Sequence, residues 1–406
     1  MSIPEPAHWI DGAWRAGASE IVFEAVTFVA PRPVWPRGDA RDADAATDAA
    51  TRASERWLGL ARRERVRCLR AWLAALEADA TLPGAFEASL GLDADEAQVW
   101  SERELFHARQ ALEIVADDVA ERPGVGVFGA HWSDGVGRLA ARALSALAGG
   151  AALAVVADPR FGGGPAALAR AAGASGLPAG VFNVLFDDGR AVLDRLLGDP
   201  RVAFARLAGR EPRLAELARA ARPGLSLALR PAVSASRALP DDLDPAQAAA
   251  EVFETSFSRS VTLSGQLPGR LGRVLCPRRH FSRFSEELLA ALERHPDATR
   301  PAPLIESDAL DALQEAWFLG LDEGATPLHG GPPWFPAAEG LTSLGGGGPG
   351  KDRGGVRRAL GVRPVIFTNV DPNTRFGRFR RNVPVLGLMR VRDARVGQAL
   401  ARSLDA

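Results

Sequence analysis

Two stretches in the first part of the chain repeat apolar residues every three or four positions. Residues 42–57 and 64–77 follow this spacing, which predicts two amphipathic helices. In the second stretch, Val66, Leu69, Leu73 and Leu76 form the apolar face, and Arg65, Arg67 and Arg70 are expected to point to water. Cys68 falls inside this helix and is interpreted as a packing residue.

Further along, short apolar runs alternate with helical patterns. The pattern predicts strands at residues 124–128, 151–156, 181–186 and 202–207, with helices at residues 138–148, 166–174 and 213–221 between or after them. Strands that alternate with helices of this length are typical of βαβ units, whose strands are parallel. The pattern therefore predicts an α/β fold built on a parallel sheet.

The pattern changes after Leu225. Strands are predicted at residues 225–229, 273–276, 363–369 and 385–391, and helices at residues 245–255 and 281–294. Residues 330–355 are rich in Gly and Pro and predict a flexible loop. At the other end, Trp9-Ile-Asp-Gly-Ala-Trp14 predicts a hairpin that turns at Asp11-Gly12. No internal repeat of fixed period is found.

Composition and charge exclude several classes of function. The 406 residues suffice for two or three domains, and 49 basic against 50 acidic residues leave a formal net charge of −1. This balance predicts neither nucleic-acid nor membrane binding. Two cysteines, Cys68 and Cys276, cannot form a disulfide framework and suit a reducing cytoplasm. No signal peptide or membrane span is predicted.

Two generic site motifs are incomplete in this sequence. Gly345 to Lys351 nearly spells a phosphate-binding loop, but Asp352 replaces the metal-binding hydroxyl, so the run is interpreted as a linker. The six histidines are scattered without metal-ligand spacing, which predicts no metal site. A Ser–His–Asp catalytic triad remains an open alternative, because its three residues can be distant in sequence and adjacent only in the folded chain.

Several segments together resemble the aldehyde dehydrogenase superfamily, from about residue 8 to the end of the chain. They are Trp9-Ile-Asp-Gly-Ala-Trp14, Gly176-Leu-Pro-Ala-Gly-Val-Phe-Asn183, Asp242-Leu-Asp-Pro-Ala246, Gly265-Gln266 and Arg363-Pro-Val-Ile-Phe-Thr-Asn-Val-Asp-Pro372. Within the family the chain looks most similar to bacterial semialdehyde dehydrogenases, such as the succinylglutamate-semialdehyde type. The resemblance implies a Rossmann-like cofactor domain over residues 1–226. It also implies an α/β catalytic domain over residues 227–406 that is truncated at its C-terminus.

The same resemblance implies that the catalytic residues have been replaced. The family's nucleophilic cysteine follows a Gly-Gln pair by two residues, where this chain has Pro268. Ala228 occupies the position of the glutamate base, and Trp132 that of the asparagine that holds the oxyanion. An indole at that position is expected to fill the aldehyde channel. Cys276, in a predicted buried strand, is not expected to replace the nucleophile.

The family's cofactor contacts are also changed. Val156 or Ala157 occupies the position of the lysine that binds the adenosine ribose. Arg160 nearby is a candidate contact for a 2′-phosphate but is expected to lie in solvent. The loop that faces the pyrophosphate keeps Gly209, and Arg210 follows it as a candidate phosphate contact. Leu214 replaces that loop's second glycine, and Arg380 replaces the glutamate of the second ribose. The resemblance therefore predicts no tight cofactor binding, with NAD(P) as the cofactor if one binds.

Three hypotheses for function follow from these replacements. The leading one is a catalytically inactive member of the family. A divergent NAD(P)-dependent aldehyde or semialdehyde oxidoreductase is the first alternative. The second is a non-catalytic interaction subunit of a dehydrogenase or biosynthetic complex, bound to a protein partner. The segment before Gly124 looks too short for the family's oligomerisation hairpin, so the usual dimer or tetramer is not expected.

Overall fold

The computed structural model describes residues 7–28, 32–117, 119–295, 301–334 and 361–406. Their contacts divide the chain into two compact units, Met1–Pro231 and Ala232–Ala406. This division lies five residues after the predicted boundary at residue 226, because the strand Ser226–Pro231 hydrogen-bonds to the sheet of the first unit. Ala228, assigned to the catalytic domain from the sequence, therefore belongs to the first unit.

The first unit contains nine strands and eight helices within its described residues. The strands are β1 Ala7–Ile10, β2 Ala13–Ala16, β3 Val22–Glu24, β4 Val34–Pro36, β5 Val125–Gly129, β6 Ala152–Ala157, β7 Phe182–Phe186, β8 Val202–Gly209 and β9 Ser226–Pro231. The helices are α1 Ala40–Leu58, α2 Arg62–Glu77, α3 Leu82–Leu90, α4 Ala94–Asp117, α5 Gly135–Ala148, α6 Gly163–Ser175, α7 Ala191–Gly198 and α8 Glu211–Ala220.

A parallel sheet forms the centre of this unit. Its strand order is β2-β1-β7-β6-β5-β8-β9, and all neighbours from β7 to β9 run parallel. The first two strands form the predicted hairpin, in which Asp11 and Gly12 turn the chain with φ angles of 56° and 75°. β5, β6 and β7 are buried along their whole length, as expected for strands covered by helices on both faces. The predicted Rossmann-like α/β fold of this unit is confirmed.

The second unit has a smaller mixed sheet. Its strands are β10 Ala235–Ala238, β11 Leu271–Pro277, β12 Thr326–His329, β13 Val365–Thr368 and β14 Val385–Val391. Its helices are α9 Pro245–Phe257, α10 Arg259–Thr262, α11 Phe281–Arg294, α12 Ala309–Asp322 and α13 Ala394–Asp405. The strand order is β10-β11-β14-β13-β12, with β12 antiparallel to β13 and the other pairs parallel. Most of the predicted loop at residues 330–355 lies outside the described residues.

One arginine of α2 differs from its predicted environment. Arg67 and Arg70 are exposed as expected, whereas Arg65 is only 2% exposed. Its guanidinium donates to the carbonyl oxygens of Ala148 at 3.0 Å, Leu58 at 2.9 Å and Leu60 at 2.7 Å. The prediction that Arg65 points to water is therefore wrong, because its side chain is needed to satisfy carbonyl groups at the ends of α1 and α5.

Glu104 of α4 gives the first unit a testable dependence on pH. Its carboxylate is 6% exposed and accepts a 2.7 Å hydrogen bond from the backbone N–H of Gly137, at the start of α5. Burial raises the pKa of Glu104, and the Gly137 hydrogen bond and the charges of Arg103 and Arg138 only partly oppose this. Protonation therefore favours the folded state, and stability falls as pH rises from the unfolded-state pKa through the folded-state pKa.

We expect Glu104→Gln to remove the fall in stability with rising pH. The amide keeps an acceptor for the Gly137 N–H without the buried charge, so the variant should match the parent at about pH 4 and exceed its stability at about pH 8. Urea unfolding across this range measures the difference. Glu102→Gln, at an exposed position of the same helix, should leave the pH profile unchanged. A gain for Glu104→Gln that is equal at all pH values would contradict the assignment.

Candidate active site

The loop between α10 and β11 carries the residue at the predicted nucleophile position. Leu263, Ser264 and Gly265 all have positive φ angles, of 51°, 54° and 85°. A Cβ at Gly265 would lie 3.0 Å from the Cα atom of Pro384 and 3.0 Å from the carbonyl oxygen of Ser256. Glycine is required at this position by both the backbone angle and the close packing.

Gln266 fixes the loop to its surroundings. The side chain is 3% exposed, and its Nε2 donates to the carbonyl oxygens of Leu263 at 3.0 Å and Pro303 at 2.9 Å. Its Oε1 accepts from the backbone N–H of Ile305 at 2.8 Å. Pro268 follows two residues later, half-buried in a turn. The loop is thus well built around a residue that has no nucleophilic atom.

Both cysteines of the chain lie in regular structure. Cys276 is in β11 with no exposed surface, and burial raises the pKa of its thiol to about 12. A thiol with this pKa is protonated at neutral pH. Cys68 is half-buried on α2 in the first unit, whereas Pro268 belongs to the second unit.

In the first unit, a 3₁₀ turn at Trp132–Asp134 follows the carboxyl end of β5. The side chain of Trp132 is buried, and its backbone N–H donates to Oδ2 of Asp158 at 2.9 Å. His131 and Ser133 are in contact in the same turn, with Nδ1 and Oγ 2.7 Å apart. Because the Ser133 N–H also faces this ring nitrogen, at 3.4 Å, the contact caps the turn.

Asp134, the last residue of this turn, is the centre of a buried ion-pair network. It is 1% exposed and pairs with Arg142 of α5 and with Arg230 of β9. Burial lowers the pKa of Arg142 to about 10, which leaves it charged at neutral pH. Arg230 is half-buried, and Ala228, at the predicted position of the base, lies two residues before it on the exposed part of β9. Sequence reasoning missed this network, because Asp134 carries no motif.

An ion pair between Asp158 and Arg160 lies at the end of β6. Ala157 is the buried last residue of the strand, and Asp158 follows it. Arg160 donates to both carboxylate oxygens of Asp158, at 2.9 Å and 2.7 Å. Burial alone would raise the pKa of Asp158, but the charge and hydrogen bonds of Arg160, with the nearby His131, hold it well below its usual range. The expectation that Arg160 lies in solvent is wrong, because Asp158 binds its guanidinium at the strand end.

Gly209 ends β8, and α8 begins two residues later. Its φ angle is 156°, and a Cβ built there would lie 3.8 Å from Leu214 and 3.9 Å from His131. The buried side chain of Leu214 therefore lies beside the glycine. Arg210 is half-buried at the N-cap, and Glu211 brings a negative charge to the first turn of α8.

Arg380 lies in the loop before β14, in the second unit. Its Nη2 donates to the carbonyl oxygen of Asp405 at 3.1 Å, and its own carbonyl oxygen accepts from the backbone N–H of Ser234 at 2.8 Å. These contacts tie the loop to the end of α13 and to the segment before β10. At this position the guanidinium forms an internal contact within the unit.

Within the described part of the chain, no group of three or more His, Cys, Asp or Glu side chains could hold a metal ion. No helix among those residues is long and apolar enough to cross a membrane. The glycine run from Gly345 to Lys351 lies outside the described residues.

Comparison with known proteins identifies relatives of the chain. A family model described as the aldehyde dehydrogenase family matches residues 33–402. A putative aldehyde dehydrogenase of Staphylococcus aureus strain MSSA476 is 25% identical over 264 residues, which cover 63% of this chain and 51% of the relative. The chain thus spans about half the length of the curated relatives it matches.

Solved structures show the same architecture. Aldehyde dehydrogenase C of Pseudomonas syringae, in complex with NAD⁺ and octanal, has a TM-score of 0.82 at 21% identity, over 98% of this chain and 82% of that chain. Lactaldehyde dehydrogenase of Escherichia coli has a TM-score of 0.80 at 21% identity, over 98% and 83%. At this identity the likeness concerns the fold. It confirms the predicted aldehyde-dehydrogenase-like α/β fold, while the resemblance to the succinylglutamate type stays a prediction.

Proposed function

Because the chain belongs to the aldehyde dehydrogenase family, we propose that it is a non-catalytic member, which keeps the fold but does not oxidise aldehydes. The main support is the state of its thiols. Pro268 occupies the predicted nucleophile position in a loop that the Gln266 side chain holds by hydrogen bonds, and the one cysteine of the second unit is fully buried. Oxidation through a thiohemiacetal needs a thiolate beside the aldehyde carbon. Neither Pro268 nor Cys276 supplies one.

The proposed loss extends to the steps after nucleophilic attack. Hydrolysis of a thioester needs a general base to activate water, and the methyl group of Ala228 cannot accept a proton. An oxyanion needs a hydrogen-bond donor aimed at it. Trp132, at that donor's position, has a buried indole in place of an amide.

The residues at the carboxyl edge of the first sheet are also a poor fit for a dinucleotide. An NAD(P) pyrophosphate is bound by backbone N–H groups at a helix N-terminus, next to glycines that permit close approach. Here Leu214 borders Gly209, Glu211 adds a negative charge, and Arg230 takes the place of a glycine to pair with Asp134. We therefore include the loss of tight NAD(P) binding in the proposal.

A role through binding follows if catalysis is lost. We propose a protein partner, either a dehydrogenase subunit or another component of a biosynthetic assembly. A cytoplasmic location, predicted from the two unpaired cysteines, is part of the same proposal. Affinity purification from the source cells tests it. A stoichiometric partner is the expected result, and a lone monomer at cellular concentration would count against this role.

We expect no NAD(P)H to form when the purified chain is mixed with NAD⁺ or NADP⁺ and short aliphatic, aromatic or semialdehyde substrates. Absorbance of the reduced cofactor measures the reaction, with an active family member as positive control. Pro268→Cys should gain a thiol that reacts with iodoacetamide but no turnover, because Ala228 and Trp132 remain. Turnover by the parent chain that is lost in Cys276→Ser would overturn the proposal by identifying another nucleophile.

Cofactor binding is measured separately, by calorimetric titration of NAD⁺ and NADP⁺ into the same protein. No saturable heat at millimolar cofactor is expected. Micromolar binding would contradict the cofactor part of the proposal. In that case a divergent NAD(P)-dependent enzyme becomes the better interpretation.

A further inference from the structure

Two buried arginines lie side by side at the start of β11. Arg270 is 3% exposed and Arg273 is 1% exposed. Arg270 donates only to carbonyl oxygens, those of Leu271 at 2.9 Å, Val385 at 2.7 Å and Arg381 at 3.1 Å. Among the described residues it has no carboxylate partner.

Arg273 has a single carboxylate partner. Its Nη2 lies 3.0 Å from Oδ1 of Asp405, and it also donates to the carbonyl oxygen of Ser234 at 3.0 Å. Burial and the charge of Arg273 lower the pKa of Arg270 to about 9, so Arg270 remains protonated at neutral pH. The pair thus carries two buried positive charges against one carboxylate. A buried charge without a counter-ion is costly.

Both arginines line one small cavity. Its volume is about 10 Å³, enough for one water-sized particle. The lining residues are Arg270, Gly272, Arg273, Val370, Phe376, Phe379, Val385 and Gly387. The Nε–H groups of Arg270 and Arg273 both lack an acceptor among the described residues. Excess positive charge, two unused donors and a small space are therefore found at the same two arginines.

We infer that this cavity binds one small monovalent anion of halide size, such as chloride. A water molecule could accept from both Nε–H groups but would leave the charge of Arg270 uncompensated. A space of this size favours a halide over larger anions such as phosphate. The anion would stabilise the Phe379–Arg381 segment, whose carbonyl oxygens accept from Arg273 at 3.4 Å and from Arg270.

Equilibrium unfolding in different salts tests the site. Chloride and bromide are compared with methanesulfonate, which is too large for the cavity, at constant ionic strength. The unfolding constant should fall about tenfold when chloride reaches ten times its dissociation constant. No difference between the salts would overturn the proposal.

Gly387→Ala is the matched variant, because the three atoms nearest to a Cβ at this cavity position all belong to Val370, at 3.4 Å and beyond. The added methyl should fill the space, keep both arginines and abolish the difference between salts. Gly198→Ala, in the first unit, has no atom within 4 Å of its Cβ and should keep the halide dependence. Loss of that dependence in the control, or its survival in Gly387→Ala, would place the effect elsewhere.

Crystals soaked in bromide give a direct readout through anomalous scattering. A peak between Arg270 and Arg273 is expected in the parent chain. It should be absent from Arg270→Gln, which removes the unpaired charge, even if that variant is less stable. Density for water alone at this position in the parent chain would overturn the inference.

Discussion

Replacing Asp134 with alanine is expected to lower the free energy of unfolding of the first unit by about 3–5 kcal/mol. The carboxylate is 1% exposed and holds Arg142 and Arg230, and it accepts from the backbone N–H of His131 at 3.2 Å. Without it, the largely buried guanidinium of Arg142 has no carboxylate partner among the described residues. Urea unfolding at neutral pH, followed by tryptophan fluorescence, measures the loss.

Two further variants separate the charge effect from simple loss of packing. Asp134→Ala combined with Arg142→Met should recover most of the lost stability, because the double variant leaves no unpaired buried charge. Arg230→Gln alone should cost less than about 1 kcal/mol, since 41% of the Arg230 side chain is exposed and solvent screens its ion pair. If Asp134→Ala cost no more than Arg230→Gln, the buried network would not contribute as described.

The same network shows how far the sequence predicts the candidate site. Ala228 and Pro268 could be found because each interrupts a family motif of adjacent residues. The partner of Arg230 could not be found this way, since Asp134 is distant in sequence and lies next to it only after β5 and β9 join one sheet. Local motifs therefore predict which residues differ from those of the family, while the structure identifies the partners that these residues contact.

Prediction of the fold succeeded where burial is uniform. The strand predicted at residues 385–391 has the observed bounds of β14, because all but one of its residues are buried. α4 was missed because Val99, Phe106 and Ile114 are exposed and blur its apolar face. α13 was missed because only Gly397 and Leu404 are buried along its length. Helical periodicity is weak where a helix packs through few residues.

Arg65 shows a different limit of prediction from the sequence. Its position on α2 is polar by residue type, so periodicity assigns it to the solvent face. Its hydrogen-bond acceptors belong to other elements, because α1 and α5 end with carbonyl groups that have no helical partner. An arginine side chain can satisfy these carbonyl groups with the several donors of its guanidinium, while its apolar stem packs in the interior. Such a role depends on tertiary structure and has no signature in the local pattern.

We expect Arg65→Met to lower the free energy of unfolding by at least about 3 kcal/mol, because the carbonyl oxygens of Leu58, Leu60 and Ala148 each lose a donor at about 1–3 kcal/mol. Methionine keeps most of the buried volume, so the loss measures the hydrogen bonds. Arg67 lies two residues further along the same helix and is exposed, so Arg67→Met should change the free energy of unfolding by less than about 0.5 kcal/mol. Chemical denaturation of both variants gives the comparison, and similar small losses would show that water replaces the Arg65 donors.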